Sequence, residues 1–206
     1  MNNEQNSGVQ SNEINGRSAA GEDAGLFEEF SVTNDAACTL LSKLVDNSST
    51  ILDFGCGSGG TGAVLQSLGM QHLIGLDSSS EKLHAAEKCQ YYKQTIQCDL
   101  TKECSAAITQ GDAGICVNVI GFCEVGLEHF GVLLSMLKKD APLLVSISAE
   151  EWDTRQWPEA LDAAQTERSF IVEYINSLPA CASNQPVRLL LIRNSALESV
   201  SDESSG

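Results

Sequence analysis

Basic residues are scarce in this chain. Its 206 residues include 12 lysines and arginines against 28 aspartates and glutamates, which gives a formal net charge of -16. The basic residues are scattered along the sequence and form no patch. A surface of this charge repels the phosphates of DNA, RNA and anionic lipids. We therefore expect neither a nucleic-acid partner nor a membrane partner.

Long apolar runs are missing as well. No stretch reaches membrane-spanning length, and the chain does not open with a signal peptide. These absences predict a cytoplasmic protein, with the nucleus as the alternative compartment. Residues 1–25 and 195–206 are rich in small polar and acidic residues and predict disordered acidic tails. Between them, residues 26–194 are expected to form one domain, and we expect a monomer.

Metal-ligand spacing is also absent. The sequence has eight cysteines, yet no two of them are separated by two residues as in a zinc knuckle. The three histidines are isolated from the cysteines. This distribution predicts buried, reduced thiols and no metal site. Aromatic residues are also sparse, at 5% of the chain.

Short apolar segments alternate with helical patterns along the rest of the chain. Alternation of this kind predicts a parallel sheet covered by helices on both faces. The last two strands follow each other without a helix, which predicts one antiparallel strand near the C-terminus. We expect a Rossmann-like, doubly wound α/β fold with a mostly parallel seven-stranded sheet. The predicted strands are 50–55, 72–77, 94–99, 113–122, 141–149, 169–178 and 186–194, and the predicted helices are 61–69, 81–89, 128–139 and 158–167.

The segment LDFGCGSGGTG, between the first strand and the first helix, contains five glycines. A turn of this kind lets a ligand approach the backbone, next to the free N–H groups of a helix N-terminus. Gly55, Gly57 and Gly60 fit the dinucleotide pattern G-x-G-x-x-G, and Asp77 lies where a ribose-binding acid is expected. A nicotinamide-dependent dehydrogenase is therefore one interpretation of this segment.

Asp53 distinguishes between a dinucleotide and S-adenosylmethionine as the ligand of this segment. A carboxylate two residues before Gly55 would repel a pyrophosphate, at a cost of about 1–4 kcal/mol for a pair in contact. S-adenosylmethionine carries a sulfonium and an ammonium group and no phosphate, so the same carboxylate favours it. The segment therefore indicates S-adenosylmethionine as the cofactor.

The pattern from Asp53 to Gly59 resembles motif I of class I S-adenosylmethionine-dependent methyltransferases, D-x-G-x-G-x-G. The resemblance implies that Asp77 binds the ribose hydroxyls and that Asp99 and Leu100 contact the adenine. It also implies that Asn118 and Val119 lie near the methionine end. The cofactor-binding residues predicted on this basis are Asp53, Gly55, Cys56, Gly57, Gly59, Asp77, Ser78, Asp99, Leu100, Asn118 and Val119.

A finer resemblance is to the methyltransferase-like protein 27 (Williams-Beuren syndrome region) family, through a late stretch from Ala160 to Pro179. The chain departs from related enzymes in two places. Residues 139–142 replace a glycine-rich turn before strand five, and FEEFSVTND replaces an N-terminal Tyr-Asp segment.

The sequence does not identify the methyl acceptor. Strand four ends in NVIG rather than in the signature of nucleobase amine methylation, so we expect a small molecule or a protein side chain as acceptor. Glu124 and His129 are candidate bases, or simply residues of the following helix. Trp152 and Trp157 either wall a substrate pocket or pack the core. No catalytic residue is assigned, and the alternative function is a catalytically inactive S-adenosylmethionine-binding interaction module.

Overall fold

The structure is a computed structural model that describes residues 32–104, 108–121, 124–166, 170–178 and 187–193. The two predicted tails and Cys123 and Cys181 lie outside the described residues. Among the described residues, no helix combines the length and the apolar character needed to cross a membrane.

Seven strands form one sheet in the order β3-β2-β1-β4-β5-β7-β6. The strands β1 to β5 pair in parallel, and β7 pairs antiparallel with both β5 and β6. The predicted sheet, including its one antiparallel strand, is confirmed. The strands are β1 Thr50–Phe54, β2 His72–Asp77, β3 Gln94–Gln97, β4 Ala113–Ile120, β5 Pro142–Ile147, β6 Ile171–Leu178 and β7 Val187–Arg193.

Helices cover both faces of the sheet. Because successive side chains of a strand point to opposite faces, Ile51 and Leu52 of β1 belong to two different core clusters. The Ile51 cluster includes Leu41 and Leu65 from two helices, and the Leu52 cluster includes Phe130 from a third helix. The helices are α1 over 32–41, α2 Gly60–Ser67, α3 Ser80–Cys89, α4 Phe130–Ser135, α5 Ala149–Thr154 and α6 Trp157–Thr166.

Three local predictions differ from the structure. Strand β3 ends at Gln97, so Asp99 lies beyond the sheet in a turn. The helix predicted over 128–139 is broken into a short 3-10 turn, Leu127–His129, and the six residues of α4. Helices α1 and α5 were not predicted, because α5 has only six residues and α1 lies beside the polar N-terminal segment.

Candidate active site

A cavity of about 830 Å³ opens at the carboxyl ends of β1, β2 and β4. Strand order reverses between β1 and β4, since the chain runs outward from β1 to β3 and then returns to the other side of β1. In open α/β sheets this reversal leaves a crevice beyond the strand ends, where ligands bind. The volume falls in the range of small-molecule sites.

The glycine loop forms the floor of this cavity. The backbone N–H groups of Gly55 and Cys56 both donate to the carbonyl oxygen of Leu76, at 2.7 and 2.9 Å, which fastens the loop to the end of β2. Gly55 has a φ of 80°, and a Cβ at this position would overlap Cγ2 of Val119. The bare backbone at Gly55 is therefore required by its conformation and by the close approach of β4.

The carboxylate of Asp77 organises two backbone segments. Its Oδ2 atom accepts from the N–H of Gly57 at 2.9 Å, and its Oδ1 atom accepts from the N–H of Ser79 at 2.8 Å. Ser79 is the N-cap of α3 and accepts from the N–H of Lys82. Each carboxylate oxygen keeps further acceptor capacity. Asp77 therefore faces the cavity as a fixed acceptor pair, which suits two adjacent hydroxyl groups.

The end of β4 forms the opposite wall. Asn118 has a φ of 58°, in the stretch where the register of β4 against β5 is broken. Its N–H donates to Oγ of Ser146 at 2.8 Å, and its Nδ2 donates to Oδ1 of Asn34 at 3.2 Å. Oδ1 of Asn34 also accepts from the hydroxyl of Thr61 at 3.3 Å. Helix α1 is thus joined to both β4 and α2 across one edge of the cavity.

Asp99 does not line the cavity. Its Oδ1 atom accepts from both the N–H and the hydroxyl of Thr101, and its Oδ2 atom pairs with Nζ of Lys102 at 2.6 Å. These donors hold the pKa of Asp99 well below its usual range, with the Lys102 hydrogen bond the largest cause. The turn built around Asp99 turns Leu100 and Thr101 toward the cavity instead.

Asp53 lies behind the glycine loop, at the carboxyl end of β1. Its carboxylate is buried, and Oδ2 accepts from the hydroxyl of Tyr92 at 2.6 Å. Burial raises the pKa of Asp53 to about 7, opposed by the hydrogen bond from Tyr92 and reinforced by the negative charge of Asp77. The group therefore carries a partial negative charge at neutral pH.

Eight of the eleven predicted cofactor-binding residues line the cavity. Asp53, Gly59 and Asp99 are not among the lining residues; Asp53 lies behind the loop, and Gly59 immediately precedes α2. Among the described residues that line the cavity, Lys82 alone carries a positive side chain. The lining residues are Asn34, Gly55, Cys56, Gly57, Ser58, Gly60, Thr61, Val64, Asp77, Ser78, Ser79, Lys82, Leu100, Thr101, Val117, Asn118, Val119, Glu124 and Val125.

Sequence reasoning missed the contribution of α1 to this site. Asn34 is 84 residues away from Asn118 in the chain, and nothing in its local sequence marks it as a ligand-facing residue. Thr61 and Lys82 belong to helices that were predicted. They were missed because only the fold decides which helical side chains turn toward the strand ends.

The two candidate bases are placed differently. Glu124 lines the cavity. His129 is not among the lining residues: its Nδ1 accepts from the N–H of Gly126 at 3.0 Å, which closes the 3-10 turn before α4. The ring of His129 therefore has a local structural partner, and of these two side chains only Glu124 borders the space where an acceptor would lie.

The tryptophans pack the core. Trp152 and Trp157 are buried and stacked, with ring centroids 6.4 Å apart, and Phe130 lies 5.7 Å from Trp157. Neither tryptophan lines the cavity. Of the two interpretations left open by the sequence, the structure supports packing.

The cysteines in the described part of the chain form no disulfide bond with one another. Burial raises the pKa values of Cys38 and Cys56 far above the usual range, so both remain protonated and unreactive. Within the described residues, no group of three histidine, cysteine or acidic side chains gathers to hold a metal ion.

Residues 52–145 match the family described as "Methyltransferase domain". This stretch of the chain is therefore similar to a methyltransferase domain. The match includes the glycine loop, Asp77 and the whole of β4. The predicted reaction class, S-adenosylmethionine-dependent methyl transfer, and the predicted cofactor are confirmed. No curated protein matches the chain.

Solved structures share this fold at low sequence identity. Magnesium protoporphyrin IX methyltransferase from Synechocystis PCC 6803 with bound SAM is 17% identical, with a TM-score of 0.63 over 92% of this chain and 87% of that chain. The 1,6-didemethyltoxoflavin-N1-methyltransferase of Burkholderia thailandensis is 13% identical, with a TM-score of 0.61 over 93% and 94%. The cyclase SpnF is 14% identical, with a TM-score of 0.63 over 78% and 81%. Because one of these structures is a cyclase and the other two are methyltransferases, the similarities establish the fold and not the reaction.

Proposed function

We propose that the methyltransferase domain, over residues 26–194, binds S-adenosylmethionine in the cavity at the ends of β1, β2 and β4. There it transfers the methyl group to a small molecule or to a protein side chain. The observation that carries the proposal is the Asp77 carboxylate, which is held by the N–H groups of Gly57 and Ser79 and faces the cavity. Two fixed acceptor oxygens suit the two hydroxyl groups of a ribose. The bare backbone at Gly55 suits a methionine chain that must pass close to the loop.

The residues present fit this cofactor. A Cβ at Gly57 would meet no atom within 4 Å, so the loop backbone there borders open space of the cavity, which an extended methionine chain can occupy. Leu100 and Val125 offer apolar contact to a flat ring, and Asp77 offers acceptors to two hydroxyls. We assign direct contact to the eight lining residues among those predicted, and we assign Asp53 an electrostatic role from behind the loop.

The charges near the cavity favour a cationic cofactor over a dinucleotide. Asp77 and Glu124 line the cavity and Asp53 is buried behind the loop, against one lining lysine, Lys82. A pyrophosphate placed on the glycine loop would meet the charge of Asp53, whereas a sulfonium and an ammonium group gain from it. This balance supports the methyltransferase interpretation over the dehydrogenase interpretation.

When bound, S-adenosylmethionine supplies a methyl group activated by its sulfonium. The work left to this chain is positioning and exclusion of water. The glycine loop and Asp77 hold one side of the cavity, and the Asn34–Asn118 contact closes an edge between α1 and β4. Glu124 borders the same space and disfavours anionic acceptors, so amines and neutral hydroxyl groups fit better than carboxylates or phosphates.

Several finer assignments rest on the sequence and remain proposals. They are kinship with the methyltransferase-like protein 27 family, a monomeric state, a cytoplasmic location, and acceptors other than nucleic acids. The magnesium protoporphyrin IX and 1,6-didemethyltoxoflavin methyltransferases are named for small-molecule acceptors, which supports an acceptor of that class here.

Calorimetric titration tests the binding half of the proposal. S-adenosylmethionine and S-adenosylhomocysteine are expected to bind and NAD is not; binding of NAD alone would overturn the assignment. Transfer is tested separately with methyl-labelled S-adenosylmethionine and a panel of amines, alcohols, thiols and cell proteins. Binding without incorporation into any class would favour the alternative, an inactive interaction module.

A further inference from the structure

Tyr92 occupies a slot built from glycines of three different elements. A Cβ at Gly62, in the first turn of α2, would lie 2.5 Å from Cζ and 2.6 Å from the hydroxyl oxygen of Tyr92. A Cβ at Gly75, in β2, would lie 3.2 Å from Cδ1, and one at Gly59, in the loop, would lie 3.5 Å from Cε2. Gly62 and Gly75 are not part of the G-x-G-x-x-G pattern. The tyrosine accounts for the missing side chain at Gly62, and at Gly75 the ring shares this role with Cys56, whose Sγ would lie 2.8 Å from the added Cβ.

The hydroxyl of Tyr92 joins the two ends of the glycine loop. It donates to Oδ2 of Asp53 at 2.6 Å, and its oxygen accepts from the N–H of Gly62 at 3.1 Å. Asp53 lies in the strand that leads into the loop, and Gly62 lies in the helix that leads out of it. One side chain thus spans the segment 55–59, which carries the residues that approach the ligand.

The backbone around Tyr92 is itself anchored. The next residue, Lys93, donates its N–H to the carbonyl oxygen of Leu73 at 2.8 Å, and β3 begins at Gln94 and pairs with β2. The tyrosine therefore reaches the loop from the segment just before β3, and it is not among the residues that line the cavity.

Tyr92 stabilises the negative charge of Asp53, and the other ionisable groups that face Asp53 do not. Asp77 of β2 raises the pKa of Asp53, while the tyrosine hydrogen bond lowers it. Cys38 of α1 and Cys56 of the loop also face Asp53, and both are neutral thiols at physiological pH. Loss of the hydroxyl would therefore leave a buried carboxylate without its donor, and the proton would be retained to higher pH.

We propose that Tyr92 is a positioning residue of the cofactor site: its hydroxyl fixes the glycine loop between Asp53 and Gly62 and keeps a negative charge behind that loop. The role rests on the proposed placement of S-adenosylmethionine in the cavity. Because the sulfonium of S-adenosylmethionine is charged and the thioether of S-adenosylhomocysteine is not, the charge on Asp53 governs the preference between these two ligands. That preference is present above the pKa of Asp53 and is lost as pH falls through it.

The test is calorimetric titration of both ligands from pH 5.5 to 9 with wild-type protein and Tyr92→Phe. The matched control is Tyr91→Phe, which removes the hydroxyl of the neighbouring tyrosine, outside the bridge. In Tyr92→Phe we expect S-adenosylmethionine to bind about tenfold more weakly at pH 7. We also expect the rise in preference for S-adenosylmethionine to move up by about one pH unit. Tyr91→Phe is expected to match wild type in both respects.

Asp53→Asn supplies a second measurement, which does not depend on the folding of Tyr92→Phe. It removes the titrating charge, so the preference between the two ligands should become independent of pH apart from the ligands' own titration. An unchanged pH profile in Asp53→Asn, or a Tyr92→Phe profile that overlays Tyr91→Phe, would overturn the role of Tyr92. Failure of wild-type protein to bind either ligand would overturn the proposed function instead.

Discussion

Gly57 and Asp77 are joined by a hydrogen bond of 2.9 Å, from the backbone N–H of the loop to Oδ2 of the carboxylate. The bond links the two sequence motifs that face the cavity, and it makes the conformation of the loop depend on the residue that is proposed to bind the ribose. Removal of the carboxylate should therefore disturb the conformation of the loop and the proposed ribose contact at once.

Asp77→Ala is expected to weaken S-adenosylmethionine binding by at least about tenfold, because it removes an acceptor for the ligand and the acceptors for the N–H groups of Gly57 and Ser79. Titration calorimetry measures the effect. Glu81→Gln, an exposed position in the first turn of α3, is the matched control and should bind as wild type does. Wild-type affinity in Asp77→Ala would contradict the assigned site.

Gly55→Ala should destabilise the fold. The residue has a φ of 80°, and the added methyl group would overlap Val119, so we expect a loss of about 3 kcal/mol in the free energy of unfolding, measured by urea denaturation. Gly131→Ala is the control: it lies within α4 with open space around it and should gain up to about 1 kcal/mol. The pair Gly55→Ala with Val119→Ala should recover only the steric part, since the backbone strain persists.

Asp53→Asn should stabilise the protein increasingly as pH rises. Burial raises the folded-state pKa of Asp53 to about 7, above the value of an exposed carboxyl group. Protonated Asp53 makes its full contribution to the stability of the wild-type protein at acid pH, and this contribution is lost as pH rises through about 7. The stability gap between Asp53→Asn and wild type should therefore open between about pH 4 and pH 7 and reach the order of 4 kcal/mol.

Urea denaturation at a series of pH values measures this gap. Asp35→Asn, an exposed carboxyl group on α1, controls for the general effect of removing a negative charge. A gap that is flat with pH would show that Asp53 titrates at the ordinary value for aspartate.

Asn34→Ala should loosen α1 from the rim of the cavity. Oδ1 of Asn34 accepts from Thr61 and from Asn118, so its loss separates α1 from α2 and β4 at once. We expect S-adenosylmethionine affinity to fall about threefold to tenfold, with a smaller effect on the temperature of unfolding. Thr39→Ala, an exposed position on the same helix, serves as the control. A double-mutant cycle with Asn118→Ala should show coupling, and additive effects would exclude it.

Some features were predictable because they are local. Glycine at a turn and the apolar runs of β1 and β4 report on their own backbone, and the structure has them where the pattern predicts. The antiparallel β7 followed from two strands in succession without a crossover helix. The shortened α4 shows the limit of this reasoning, because an apolar helical pattern does not reveal where a 3-10 turn interrupts it.

The amino-acid sequence by itself determined the cofactor class, the sheet and the order of the motifs, since turn chemistry, strand period and the sign of a charge are properties of short segments. Only the tertiary structure decided which side chains meet. It placed Asn34 against Asn118, turned Asp99 away from the cavity toward Lys102, and set the Tyr92 hydroxyl between Asp53 and Gly62. Contacts such as Asn34–Asn118 and Tyr92–Asp53 join segments 84 and 39 residues apart, and only the packing of helices on a twisted sheet brings them together.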